Sequence, residues 1–285
     1  MSNSFHFGLL GERVGYSLSP EIFDRIFCSD KVEGTFSVFD ISGAELKSRM
    51  SELRQLDGFS VTIPHKERII PYLDVIDDTA KKIGAVNSVA VKNGQLHGFN
   101  TDITGSIYPL IERRLQIKDV LIIGYGGAAR AVIMGILENF NDCSITVTGR
   151  NYLTADGLTK DVIKSNMIAT NRLKSIEISQ LNDQSYDVAV NCTPVGNVNY
   201  IGEMPVPETY HLSQIQLCYD LNYKPVRTKF LECGIEAGCE VLNGVPMLIR
   251  QALESYSLWS GRNVNFERLY TELVSVYHGE IEGVI

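Results

Sequence analysis

Lys66 and Asp102 are the two side chains in this sequence best surrounded for moving a proton. Lys66 lies in Gly58-Phe59-Ser60-Val61-Thr62-Ile63-Pro64-His65-Lys66-Glu67, and Asp102 in Asn100-Thr101-Asp102-Ile103-Thr104-Gly105. Between them stands Gly84-Ala85-Val86-Asn87-Ser88. Strand ends would bring the amine and the carboxylate onto one rim with Asn87, Asn100, Thr62 and Thr101. Such a junction of strand and helix ends is a common place for chemistry. Each residue also has a plainer reading: Lys66 is solvated, and Asp102 caps a helix beginning near Ile103.

A second group of residues has the spacing of a phosphate cradle. Gly124-Tyr125-Gly126-Gly127-Ala128-Ala129-Arg130 follows the apolar run Asp119-Val120-Leu121-Ile122-Ile123 and opens an apolar helix to about Leu137. This is G-x-G-x-x-A between a strand and a helix. Gly124 makes the tight turn, Gly126 lets the backbone approach a pyrophosphate, and Ala129 permits close helix packing. Phosphate would accept N–H bonds at the positive end of that helix. A strand–turn–helix without a ligand is the alternative. The following strand, 144–148, ends in Gly149-Arg150-Asn151 with no acid. An NAD site usually places an acid there for the ribose 2′-hydroxyl, whereas an arginine pairs with a 2′-phosphate. Arg150 therefore favours NADP over NAD.

The elements that must carry these residues alternate strand and helix. Residues 5–11 (FHFGLLG) read as a strand, and Ser19 as an N-cap with Pro20 the first helical residue. A strand over 34–39 and a helix over 43–56 follow. Residues 59–63 alternate like a strand, and Pro64 is placed to stop the ladder and start a helix. A short helix spans 77–83. Residues 86–91 and 96–100 form a hairpin about the Asn93-Gly94 turn. Helix over 107–115, strands over 186–190, 217–221 and 241–244, and helices from Met247 and over 265–277 complete the chain. The expected fold class is α/β with two domains: a substrate-binding domain of residues 1–103 with 244–285, and a Rossmann-type dinucleotide-binding domain of residues 104–243. Ligands belong in the cleft where such domains and their strand ends meet.

Composition narrows the alternatives. The 285 residues are 44% hydrophobic and 21% charged, with a net charge of −8 and no basic run. That argues against nucleic acid or an anionic membrane as partner. The six cysteines show no CxxC and no ligand spacing to the five histidines. No metal site and no disulfide framework is expected, only buried reduced thiols. The N-terminal residues lack a leader pattern and no apolar run is long enough to span a bilayer, so a cytoplasmic protein is expected. A monomer or a homodimer fits equally well.

The words VTIPHKE (61–67), GAVN (84–87) and GFNTD (98–102) resemble, in order and spacing, the signatures of the shikimate dehydrogenase family. The resemblance runs from about residue 5 to residue 259 and is weakest over 151–181. It implies that Lys66 and Asp102 work as a pair on the substrate hydroxyl being oxidised. It implies that Ser17 and Ser19 of Ser17-Leu18-Ser19-Pro20 hold the substrate carboxylate, although Glu21-Ile22 stands where a histidine is usual. Thr62, Asn87, Tyr223 and Gln251 become substrate contacts; Tyr223 stands in Asp220-Leu221-Asn222-Tyr223-Lys224-Pro225, similar to a family motif. The cofactor side gains Tyr125, Gly127, Ala128, Leu221 and Gly244, together with Thr193 of Asn191-Cys192-Thr193-Pro194-Val195-Gly196. Near Arg150 the chain departs from the family pattern: Gly149 replaces an asparagine, and Thr154 stands where a second arginine is common. Cys192, inside its motif, reads as packing.

The activity implied is reversible NADP(H)-dependent reduction of 3-dehydroshikimate to shikimate, a step toward aromatic amino acids. Reduction of a ketone needs a proton delivered, and Lys66 is the candidate. Burial would favour its neutral form and Asp102 its charged form, and the sequence leaves that balance open. A quinate/shikimate relative with looser substrate or cofactor choice, a ligand-sensing relative without turnover, and a folate-linked dehydrogenase of similar plan are the alternatives.

Overall fold

The computed structural model describes residues 4–166, 171–181, 184–262 and 264–278. Met1 to Asn3, part of the stretch read for a leader, lie outside them. The chain runs β1 (Ser4–Gly11), α1 (Ser19–Asp30), β2 (Glu33–Asp40), α2 (Leu46–Leu53), β3 (Gly58–Val61), α3 (His65–Arg68), β4 (Val75–Ile76) and α4 (Asp78–Ile83). It continues through β5 (Ser88–Lys92), β6 (Gln95–Phe99), α5 (Asp102–Glu112), β7 (Asp119–Ile123), α6 (Gly127–Asn139), β8 (Ser144–Thr148) and α7 (Tyr152–Asn166). The last stretch is β9 (Leu173–Ser175), β10 (Tyr186–Asn191), β11 (Ile215–Asp220), α8 (Lys229–Glu236), β12 (Glu240–Leu242), α9 (Val245–Ser260) and α10 (Phe266–His278).

Two compact units result. The first takes the chain up to Gly105 together with Leu248–Val276; the second takes Ser106–Met247 together with the chain from Tyr277 on. The chain thus leaves the first unit within α5 and re-enters it within α9.

The first unit holds a six-stranded mixed sheet in the order β2-β1-β3-β5-β6-β4. Strand β1 pairs in parallel with β2 and β3, while β5 runs antiparallel to both β3 and β6. One face, with Leu10, Phe59, Val89 and Leu96, packs on Leu46, Met50 and Leu53 of α2. The other face is aromatic. Phe7 of β1 meets Phe23 and Phe27 of α1 and Tyr256 and Trp259 of α9, with ring centroids 4.9–6.1 Å apart. Burying each large apolar side chain contributes roughly 1.5–3 kcal/mol. A Cβ on Gly58 would lie 2.3 Å from Cγ of Trp259, so the indole needs a glycine beneath it. Its Nε1–H donates to Ser88 Oγ at 3.0 Å, which satisfies the polar edge of the buried ring. Tyr256 and Arg262 both donate to the carboxylate of Asp30 and so fasten the end of α9 to the end of α1.

The second unit holds six strands in the order β12-β11-β10-β7-β8-β9, all paired in parallel. Numbered from β7 within the unit, this is the 3-2-1-4-5-6 order of dinucleotide-binding sheets, and it reverses between β7 and β10. Residues Val120 to Ile122 and Val147 are fully buried because both faces are covered.

Several sequence expectations need correction. Strand β3 is buried at all four positions, so the alternation read over 59–63 is not an alternation of exposure. Pro64 does stop the ladder and start a helix, as the N-cap of α3. Ser19 is not an N-cap: Leu18 is, without a side-chain cap bond, and Ser19 begins the helix. The helix read over 43–56 is confined to Leu46–Leu53, since Glu45 forms its N-cap and bonds Ser42. The helix read over 107–115 begins at Asp102. Not every thiol is buried: Cys28 is exposed. Among the described residues no helix is long and apolar enough to cross a membrane.

Candidate active site

In the first unit the pairing register puts four loops at one end of the sheet. Parallel β1 and β3 both finish there, with Leu10 opposite Val61. Antiparallel β5 starts there, Ser88 facing Ser60, and β6 ends there, Phe99 facing Ser88. The loops are tied together by backbone bonds: Thr62 N–H to Leu10, Glu12 N–H to Ile63, Val61 N–H to Asn87 and Val86 N–H to Lys66, all at 2.7–3.1 Å. Lys66, Asn87 and Asp102 are therefore neighbours although 36 residues of sequence separate the first from the last.

Lys66 Nζ donates to Asp102 Oδ2 at 2.5 Å, with side chains only 15% and 5% exposed. The other carboxylate oxygen accepts from Asn87 Nδ2 at 2.8 Å. Asn87 also receives the N–H of Thr101 on Oδ1 at 2.7 Å, so its amide orientation is set from both ends. Asn100 donates to the Ala85 carbonyl and accepts the N–H of Asp102, fixing the backbone from which the carboxylate projects. Asp102 does sit at a helix start, as its plainer reading had it, but its oxygens serve Lys66 and Asn87. Thr62, half-buried, follows β3 directly, and a Cβ on Gly11 would lie 2.6 Å from its methyl.

Helix α9 touches this cluster through Ser255. Ser255 Oγ lies 3.2 Å from Thr101 Oγ1, and both are buried. Gln251 is one turn earlier on the same helix face. It is 7% exposed, and its Nε2 donates to the carbonyl of Leu248. Ser17 and Ser19 form a pair of their own. Ser17 Oγ accepts the Ser19 N–H and donates to Ser19 Oγ, both at 3.1 Å. Ser19 does not cap α1 as read from sequence, and the two oxygens form a small donor–acceptor cluster instead. Burial pushes the neighbouring Tyr16 phenol up.

The second unit presents its own constellation at the C-terminal strand ends. Gly124 has φ of +120°, and its N–H donates to Thr148 at 2.8 Å. A Cβ there would press on Thr193 and Cys192 at 3.1–3.4 Å, which makes glycine necessary twice over. Gly126 opens α6 with no side-chain cap bond, and a Cβ on it would meet nothing within 4 Å. Open space in front of uncapped N–H groups, with Gly127 and Ala128 in the first turn, suits a diphosphate. Arg150 is exposed and makes no hydrogen bond or ion pair among the described residues. Asn151 caps α7 by accepting the N–H of Thr154, whose side chain is exposed. Leu221 and Tyr223, both half-buried, follow β11. Gly244 N–H donates to Asn222, and a Cβ on Gly244 would lie 2.0 Å from the Leu221 carbonyl oxygen.

Sequence reasoning missed two supports, Ser255 and Asp220. Thr101 and Ser255 are far apart in the chain, and no motif joins them. Asp220 opens the stretch that drew attention to Tyr223. It is fully buried and accepts from Thr228 Oγ1 at 2.6 Å, from Asn222 N–H at 2.9 Å and from Asn191 Nδ2 at 3.0 Å. Burial pushes its carboxyl up to about 6, against the pull of those donors. Asn191 in turn accepts from Thr193, and Asn222 donates to the Thr193 and Val195 carbonyls at 3.0 Å, so this network shapes the loop carrying Thr193.

Comparison with known proteins covers nearly the whole chain. A family profile described as "Shikimate dehydrogenase substrate binding domain" matches residues 9–89. The shikimate dehydrogenase (NADP(+)) of Salinibacter ruber is 34% identical, over 93% of this chain and 95% of that protein. The crystal structure of shikimate 5-dehydrogenase from Thermus thermophilus in complex with NADP(H) and shikimate superposes with a TM-score of 0.80 at 28% identity, over 95% of this chain and 99% of that one. The Listeria monocytogenes shikimate 5-dehydrogenase in complex with shikimate and NAD gives 0.78 at 27% identity, over 96% and 97%. Identity of this extent across nearly the full length of both chains leaves one assignment: the chain belongs to the shikimate dehydrogenase family.

Proposed function

We propose that this protein is an NADP-dependent oxidoreductase that interconverts 3-dehydroshikimate and shikimate. The observation that carries the reading is the Lys66–Asp102 pair at 2.5 Å, held by Asn87 at one end of the first unit's sheet. Bound NADPH supplies a hydride to the carbonyl carbon. The protein's own task is the proton. As negative charge grows on the carbonyl oxygen, Lys66 Nζ–H is the donor within reach of the rim; in the reverse direction the amine accepts the alcohol proton. Asp102 aims Nζ and stabilises its charge, and it is itself aimed by Asn87 and Asn100. Ser17 and Ser19 hold the substrate carboxylate, while Thr62, Asn87 and Gln251 meet ring hydroxyls. In the second unit, the α6 N-terminus takes the diphosphate and Arg150 the 2′-phosphate. Intact Ser17 and Ser19 favour shikimate over quinate.

The deciding experiment is a steady-state assay of shikimate and quinate, each with NADP and with NAD. Turnover highest with shikimate and NADP is expected. No turnover of either substrate by a folded protein that binds nucleotide would overturn the reading in favour of a ligand-sensing relative.

A further inference from the structure

Gly149, the first residue after β8, is a glycine for a reason that lies in another loop. It is buried, and its backbone does not adopt a positive φ, so conformation alone does not demand glycine there. A Cβ on it would lie 2.7 Å from Cε1 and 2.8 Å from Cδ1 of Tyr125, closer than real Cβ atoms approach anything. Tyr125 sits between Gly124 and Gly126 of the phosphate cradle, and its ring covers the end of β8. That strand end is where dinucleotide-binding sheets place the side chain that reads the ribose 2′-position. Here the volume is already filled from the cradle side.

We infer that Tyr125 is a specificity-determining residue of the nucleotide site. Its ring forms the wall against which the adenosine ribose rests, and it bars any side chain from position 149. Barring an acid matters most. A carboxylate at 149 would accept from a ribose 2′-hydroxyl and repel a 2′-phosphate. With that position closed, the charge next along the chain from the strand end is that of Arg150, and it favours the phosphate. The pair Tyr125–Gly149 thus guards the preference that Arg150 creates. Neither residue would reveal this alone: an aromatic in a glycine-rich loop and a glycine after a strand are both commonplace.

The inference rests on the nucleotide half of the proposed function, and binding alone tests it without turnover. Adenosine 2′,5′-bisphosphate and 5′-AMP are titrated calorimetrically into wild type, Y125A, G149D and Y125A/G149D, with the melting temperature of each recorded. Y125A should weaken both ligands by a similar factor of several-fold, because the lost wall touches the ribose common to them. G149D alone should weaken both as well, or melt lower, because the ring and the carboxylate compete for one volume. In Y125A/G149D the carboxylate has room: relative to Y125A, bisphosphate binding should fall tenfold or more while AMP binding holds or improves. The inference is overturned if G149D alone reverses the preference at unchanged melting temperature, since the ring would then guard nothing. It is equally overturned if Y125A leaves both affinities as they were, or if the double variant keeps the bisphosphate preference of Y125A. Wild type binding neither ligand would sink the nucleotide reading itself, while normal binding without shikimate turnover would sink only the substrate reading.

Discussion

If Lys66 and Asp102 act as one device, removing both should cost little more than removing either. The geometry makes the single losses large. Asp102→Asn keeps an oxygen for Asn87 Nδ2, and this turns the new amide NH2 toward Lys66, donor facing donor. The ammonium, 15% exposed, is then left without its anion. Breaking a buried pair from one side costs about 3–5 kcal/mol of stability, and the residual exposure of Lys66 places the expected loss near the lower end. In catalysis, each single variant, Lys66→Ala or Asp102→Asn, should lower kcat by about 10²–10⁴, the usual worth of a positioned acid–base group. The double variant should fall no further than the worse single one, since members of a unit are strongly non-additive. It should also regain part of the stability lost in Asp102→Asn, because no orphaned cation remains. The assay is kcat and KM for shikimate in wild type and three variants, with NADP affinity measured separately and expected to hold. Multiplying single losses in the double variant would refute the coupling, and near-normal turnover by folded Lys66→Ala would remove Lys66 from the chemistry.

Three further expectations follow from other parts of the molecule. Ser17→Ala with Ser19→Ala should raise the shikimate KM far more than it lowers kcat, the pattern of lost binding common to ground and transition states; an unchanged KM would reduce the pair to a local turn contact. Arg150→Ala should weaken NADP by roughly 1.5–3 kcal/mol, the scale of a charge-assisted bond, and NAD much less, with Thr154→Arg acting in the opposite sense; equal weakening of both cofactors would show that Arg150 reads no phosphate. Asp220, held near 6 by burial, binds its proton more tightly folded than unfolded. Its contribution to stability is therefore complete below about pH 4 and lost as pH rises through about 6, a change on the order of 3 kcal/mol. The stability difference between wild type and Asp220→Asn, from urea unfolding at pH 4.5 and 6.5, should shift against wild type at the higher pH, and a constant difference would contradict the burial argument.

How legible all this was depended on how locally each feature is encoded. The strands Asp119–Ile123 and Ser144–Thr148 were read to the residue, because buried parallel strands are short apolar runs with abrupt ends. Strand β3 misled in its detail for the same physical reason, being covered on both faces. The two- and three-residue strands β4 and β9 are too short to show any period, and they went unread. Ser19 looked like a cap because it precedes proline, yet the helix starts one residue earlier than that rule supposes. The Lys66, Asn87 and Asp102 cluster was legible through family-like words, whereas the Thr101–Ser255 contact arises only from tertiary packing across 154 residues. The Tyr125–Gly149 contact likewise joins two loops that carry no shared sequence signal.

The aromatic face of the first unit has a bearing on how the chain comes to fold during synthesis. Phe7, Phe23 and Phe27 leave the ribosome early, but their covering partner Trp259 is bonded to Ser88, a residue 171 positions before it. At a synthesis rate of 5–20 residues per second, that gap is roughly 10–30 s. Throughout it, the early sheet displays an uncovered aromatic surface while the six strands of the second unit, all within Ser106–Met247, are already made. The first unit is thus the last to be covered, and the arrival of α9 is the event that closes its aromatic face.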